Sequence, residues 1–276
     1  KVQNKNASGE FYLPDLFSHA TKSKKKSLAH VFQDPACLRG VNTMKELSEA
    51  QKILYQRTAE KWMNEGVFLA DPSDAYIGLR VQMSVGSSVG PSTLIHGESR
   101  IGKNVRIGAH CELLDVQVDE SSTIRNSTFA EKSKIGKRCT VGPMAHLRAG
   151  TVLSDDVRVG NFVEIKESQI GSHTNAAHLS YVGDAKIGSN VNIGCGFVTC
   201  NYDGQIRDGK RKHATVIGDG VFVGSDCQVV APIEIAAGSY IASGSTVTDS
   251  VKDRDSLVIA RTRQVTKPGY SKKYKK

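Results

Sequence analysis

Between residues 146 and 204 the chain gathers Arg148, Lys166, His178, Tyr181, Asn192, Asn201 and Tyr202, a set that could move an acyl group onto an amine. Such a transfer needs a base to take the proton from nitrogen as it attacks a thioester. It also needs cations to hold an anionic acceptor and a donor for the developing oxyanion. His178 is the natural base, because an unperturbed imidazole titrates near ~6.5 and is substantially neutral at cytosolic pH. Arg148 and Lys166 could bind a phosphate. Taken singly, the histidine is more at home as a hydrogen-bonded structural group and each cation as a surface charge. Together, close to one repeat, they point to a common groove.

The element that must position them is read from a period of six. Aliphatic residues fall at 135, 141, 147, 153, 159 and 165, and again at 217, 223, 229, 235, 241 and 247. Gly often follows, as in Ile101-Gly102, Ile135-Gly136 and Val223-Gly224, and a small or medium residue stands four positions after the aliphatic. Six residues make about 1.67 turns of a 3.6-residue helix, so a helix would scatter these positions. Strand alternation sends i and i+4 the same way, and Gly at the corners permits a turn after each short strand. The fold class is therefore mainly β: a left-handed parallel β-helix of hexapeptide repeats, three hexads to a triangular coil. At 18 residues per coil, 81–250 supplies about nine coils, roughly 43 Å of prism at ~4.8 Å per rung. The largest interruption is Asn201 to Ala214, a polar excursion carrying Arg207, Lys210, Arg211 and Lys212.

Residues 1 to about 75 are not repetitive. Thr43 and Glu46 form a capping box, and Leu47, Ala50, Ile53, Leu54, Ala59, Trp62 and Met63 trace an amphipathic helix from roughly 43 to 65, ending near Gly66. Phe11, Leu13, Leu16, Phe17 and Phe32 want a surface to cover. The domains expected are a short α/β remnant with the linking helix at 1–65, the β-helix at 66–262 and a basic tail at 263–276.

Over 276 residues, 39% hydrophobic and 24% charged is an ordinary globular composition, whereas 6% aromatic implies a core of small aliphatic side chains. The formal charge of +9 makes an anionic partner plausible. Lys22, Lys24, Lys25 and Lys26, and Lys272, Lys273, Lys275 and Lys276, read as solvated runs. No aromatic interleaving or known module supports nucleic-acid binding. Six cysteines without a CxxC pair, most in apolar repeat positions, read as buried free thiols of a cytoplasmic protein. There is no apolar run long enough for a membrane span and no signal-peptide core at the start, KVQNKNASGE. The start also lacks an initiator Met, so a fragment of a longer protein is expected.

Several motifs carry a resemblance. LRAG at 147–150, GNFVEIK at 160–166, AAHLSYVGDAKIGSNVNIG at 176–194, TCNYDG at 199–204 and VFVGSDCQVVAP at 221–232 resemble the acetyltransferase domain of a bifunctional bacterial family. Its members are N-acetylglucosamine-1-phosphate uridylyltransferase and glucosamine-1-phosphate N-acetyltransferase in one chain. The likeness runs from about 66 to 270. Residues 1–65, with GEFYLPDLF and GVN at 40–42, are similar to the end of the family's uridylyltransferase domain.

The resemblance implies that His178 is the general base toward the 2-amino group of glucosamine 1-phosphate, with Arg148 and Lys166 on its phosphate and Tyr181 and Asn192 placing the sugar. It implies acetyl-CoA along a wall formed by Cys195, Asn201, Tyr202, Ser225 and Ser243, with Arg261 meeting a CoA phosphate. It further implies a homotrimer and direct attack without an acyl-enzyme. Cys195 and Ser243 stand where the family usually has Ala, and the loop 205–214 is longer and more basic than usual. Asn42 matches the family's Mg²⁺-binding Asn, but the Gly-rich loop and the Asp of that half are absent from these residues. Magnesium and uridylyl transfer are accordingly expected only of a full-length parent.

Two other readings stand beside this one. His173 and His178 have a spacing that could serve a trimeric zinc enzyme of the carbonic anhydrase type, with His146 or His110 as a third ligand. A non-catalytic binding module should repeat regularly on its exposed face, and here the exposed residues are irregular.

Overall fold

The computed structural model describes residues 2–206, 209 and 211–274, the last two by backbone alone. Arg207, Lys210, Lys275 and Lys276 of the basic runs lie outside the described residues, as does the side chain of Lys273. The chain divides into two compact units, Lys1–Ala50 and Gln51–Lys276.

The first unit holds a helix at Asp15–Lys22 with no buried residue and a short 3-10 turn at Pro35–Leu38, whose Asp34 side chain accepts from the Ala36 N–H. Phe11, Leu13, Leu16, Phe17 and Phe32 are exposed, so the surface they want is not supplied within this unit. The long helix runs Met44–Asn64, as its apolar spacing predicts. Its capping box closes in both directions. The Glu46 carboxylate accepts from the Asn42 and Thr43 N–H groups (2.8 and 2.9 Å), and the Glu46 N–H donates to Thr43 Oγ1 at 3.2 Å. In the second unit the last turns of that helix bury Thr58, Ala59 and Trp62. Thr58 Oγ1 donates to the Ile77 carbonyl at 2.8 Å, which pins the helix to the first coils.

From Phe68 to Val258 the chain is the expected three-sided parallel β-helix. Among the described residues nine short strands stack on one face. The other two faces are joined where the nine-residue strands Arg158–Lys166 and Asn175–Gly183 run through a corner. Every pairing is parallel, and residues of one type stack on their own kind, as Ile107↔Ile124↔Val141↔Val159. The interior is correspondingly narrow. Aliphatic positions such as Ile135, Leu147, Leu153 and Ile165 are buried, and so are the i+4 partners of the first three, Cys139, Thr151 and Val157. Buried hydroxyls are satisfied by the backbone: Thr151 Oγ1 reaches the Arg148 carbonyl at 2.7 Å and the Ile165 carbonyl at 3.0 Å.

Three details differ from the sequence reading. Coils are not uniformly 18 residues: Thr123↔Thr140 and Arg158↔Asn175 are 17 apart, Thr140↔Arg158 is 18, and Asn192↔Phe222 is 30 because of the excursion. The missing residue comes from one corner, where the buried aliphatic recurs after five, as Ile165 to Ile170 and Val182 to Ile187. Gly142 (φ 93°) apart, the glycine after the aliphatic does not take a left-handed turn either. A Cβ on Gly136 would lie 2.7 Å from Ser154 backbone atoms of the next coil, so Gly is required there by close approach. The left-handed corners are taken largely by other residues, among them Met144, Phe162 and Leu179. Finally, only Cys111, Cys139 and Cys227 of the six free thiols are buried; Cys37 and Cys195 are exposed and Cys200 is intermediate. Outward-facing positions beside the corners can carry a thiol without burying it. Burial pushes the Cys139 thiol up to about 11.

Candidate active site

The corner that contains His178 is set by pairing between adjacent coils. Asn161 of the strand Arg158–Lys166 lies beside His178 of Asn175–Gly183, and one residue later Phe162 and Leu179 turn with φ of 56° and 35°. The His178 ring is exposed, and its Nδ1 lies 3.2 Å from Asn161 Oδ1. The Ser180 hydroxyl donates to the His178 carbonyl at 2.8 Å, holding its backbone.

The same edge continues coil by coil. The Gly196 N–H donates to the Leu179 carbonyl, the Asp226 N–H to the Cys195 carbonyl and the Gly244 N–H to the Ser225 carbonyl. These bonds place Cys195, Ser225 and Ser243 in successive coils beyond His178, all exposed. Arg261, also exposed, has its Cδ 3.9 Å from where a Cβ on Gly244 would stand. Four rungs of ~4.8 Å put the guanidinium end roughly 19 Å from the imidazole along the prism. Gly194 lets successive coils approach closely at this edge: a Cβ there would meet the Gly224 backbone at 2.5 Å. An exposed edge with an imidazole at one end and a guanidinium at the other has the groups to meet an extended anionic thioester.

A second network lies on the neighbouring face. Arg148 Nη1 donates to Glu164 Oε1 at 2.8 Å, and this bond, outweighing the opposing effect of burial, raises the guanidinium above its ordinary value. His146, Glu164, Tyr181 and Val198 succeed one another in register. The buried Asn201 amide donates to Tyr181 Oη at 3.2 Å and to Asp184 Oδ2 at 2.5 Å. Tyr202 is exposed, with Lys212 Nζ 4.4 Å from its ring centroid, and the base of the excursion is closed by His213, whose Nε2 lies 3.3 Å from Asp203 Oδ1. Asn192 stands on another face, between Asn175 and Phe222.

Glu164, bonded to Arg148, thus stands in register beside Tyr181, bonded to Asn201, and His178 is in line with Cys195, Ser225, Ser243 and Arg261. Among the described residues no hydrogen bond or ion pair joins His178 to Arg148 or Lys166. The corner at Leu179 lies between His178 and Tyr181 of one strand. Sequence reasoning missed Asn161 and Glu164. Their signal was present, since each lies 17 residues, one short coil, before His178 and Tyr181.

His173 does not pair with His178; its Nδ1 lies 4.0 Å from Asp156 Oδ2, and His146 packs edge-on against Phe129. Among the described residues no group of three or more His, Cys, Asp or Glu side chains could hold a metal ion. Asn42 donates its backbone N–H to Glu46, and among the described residues no carboxylate cluster stands with it to complete a Mg²⁺ site. No step of uridylyl transfer follows from them. Nor is any helix among the described residues long and apolar enough to cross a membrane.

Comparison with known proteins agrees with the hexapeptide prism. The sequence matches the GMPPB C-terminal domain family over residues 77–182 and the bacterial transferase hexapeptide (six repeats) family over 214–249. It is 42% identical over 271 residues to the bifunctional protein GlmU of Geobacillus sp. (strain WCH70), covering 98% of this chain and 57% of that one. To the bifunctional protein GlmU of Pelobacter propionicus it is 43% identical over 279 residues, covering 99% and 58%. A solved UDP-N-acetylglucosamine acyltransferase of Francisella novicida is 14% identical with a TM-score of 0.46, covering 65% of this chain and 62% of that one. The chain spans a little over half the length of the curated relatives it matches. The chain is a homologue of the bifunctional GlmU proteins over the stretch of them that it spans.

Proposed function

We propose that this chain transfers the acetyl group of acetyl-CoA to the 2-amino group of glucosamine 1-phosphate, giving N-acetylglucosamine 1-phosphate and free CoA. The observation that carries the reading is the edge on which His178 leads a column of Cys195, Ser225 and Ser243 toward Arg261. Acetyl-CoA would lie along that edge with its thioester at His178 and its phosphates toward Arg261. The amine lone pair attacks the thioester carbonyl, His178 Nε2 takes the ammonium proton, and the CoA thiolate departs as the amide forms. Arg148, already oriented by Glu164, keeps donors of its planar fork for the sugar phosphate, beside Lys166. Tyr181 and Asn192 would place the sugar.

A homotrimer whose neighbouring prisms complete each site, as the resemblance implies, is part of the proposal. So is the division into a nucleotidyltransferase remnant (1–65), an acetyltransferase domain (66–262) and a tail (263–276), in a cytoplasmic enzyme whose longer parent would add Mg²⁺-dependent uridylyl transfer through Asn42. The test is thiol release from acetyl-CoA with glucosamine 1-phosphate against glucosamine 6-phosphate. Activity is expected with the 1-phosphate only, and His178→Ala should lose about 10²- to 10⁴-fold in kcat. Near-normal turnover in that variant, or equal use of both sugars, would refute the reading.

A further inference from the structure

We propose that Asn161 is the positioning residue for His178, fixing the imidazole in the tautomer that leaves Nε2 free to accept a proton. The inference deepens the acetyltransferase reading and rests on it for its kinetic part. Asn161 and His178 are directly paired on adjacent coils, 17 residues apart, with Asn161 Oδ1 3.2 Å from His178 Nδ1. A neutral imidazole carries one proton, on either nitrogen, and an amide oxygen can only accept. That oxygen therefore selects the Nδ1–H form and places the lone pair on Nε2. It also resists rotation of an otherwise exposed ring.

The pairing is itself held. Gly160, next to Asn161, packs so closely on Ala177, next to His178, that a Cβ would lie 1.7 Å from the Ala177 carbonyl oxygen. Ser180 fixes the His178 carbonyl. The neutrality of the amide matters as much as its oxygen. A carboxylate at 161 would favour the imidazolium, which cannot act as a base. Glu164, the carboxylate on the same strand, is bound to Arg148 instead.

The experiment uses the whole chain as wild type, Asn161→Leu and Asn161→Asp. Long-range ¹⁵N–¹H NMR of the imidazoles, assigned by the signal missing from His178→Ala, reads the tautomer without any substrate. Steady-state thiol release reads kcat and both KM values against pH. Wild type should show Nδ1–H at His178. Asn161→Leu should lose that preference and fall roughly tenfold or more in kcat with little change in either KM. Asn161→Asp should keep the tautomer while the acid limb of its kcat profile moves to higher pH by about one unit.

An Nε2–H tautomer in the wild-type protein overturns the proposal, as does an Asn161→Leu kcat within twofold of wild type. If Asn161→Leu fails to fold, the wild-type tautomer and the Asn161→Asp profile still decide the matter, an unmoved acid limb counting against it. A wild type that does not acetylate glucosamine 1-phosphate would sink the proposed reaction, while the tautomer measurement would still judge Asn161.

Discussion

Gly160→Ala probes the point at which fold and chemistry meet. The new Cβ would lie 1.7 Å from the Ala177 carbonyl oxygen and 2.4 Å from its carbon. Both are backbone atoms, so no side chain can swing aside. The coils must part there by roughly 1.3 Å, the gap between that approach and the 3.0 Å floor that Cβ atoms keep, against a rung spacing of ~4.8 Å. Overpacking of this kind costs about 1–3 kcal/mol, which in a protein of this size lowers Tm by several degrees at about 2–4 °C per kcal/mol. The displaced backbone carries Asn161 on one coil and His178 on the other. A misplacement near 1 Å at a reacting group costs about 10²-fold in rate. Gly78→Ala is the control, since its nearest neighbour, the Ile95 carbonyl oxygen, is at an ordinary 3.4 Å. Thermal unfolding and thiol release are measured on both. A Gly160→Ala protein with the wild-type Tm and a kcat within twofold would refute the close approach, and with it the claim that this coil contact fixes the imidazole.

Three further predictions follow from named contacts. Titration of the native protein with an aromatic disulfide at pH 8 should modify exposed Cys37 and Cys195 first and Cys111, Cys139 and Cys227 only on unfolding; simultaneous reaction of all six would contradict a packed prism interior. Lys166→Ala, removing a cation without an ion-pair partner among the described residues, should raise the KM for glucosamine 1-phosphate with a smaller effect on kcat, and an unchanged KM removes Lys166 from the phosphate site. Asp156, held below the usual carboxylate range chiefly by its hydrogen bond to Arg138, adds stability above its unfolded pKa that is lost as pH falls through the lower folded value. The Tm advantage of wild type over Asp156→Asn should therefore be present at pH 6 and shrink below about pH 4; a constant difference down to the lowest pH would show that the ion pair is not its source.

What the sequence by itself determined was whatever depends on neighbours along the chain. The six-residue recurrence dictates short strands whose i and i+4 side chains fill one interior, and Thr43 and Glu46 cap the helix with groups three residues apart. The motifs around His178 and Asn201 are likewise local, and they carry the resemblance on which the proposed acyl-transfer site rests. What only the tertiary structure decided was set between coils, at separations of 17, 18 or 30 residues that a fixed period cannot foresee. Stacking placed Asn161 against His178 and Glu164 beside Arg148, and carried the column from Cys195 to Arg261 across the excursion. It also set a corner between His178 and Tyr181. A periodic pattern fixes which way a side chain points, inward or outward. Its partner depends on how many residues each corner consumes, and that count follows from backbone packing between coils rather than from the hydrophobic beat.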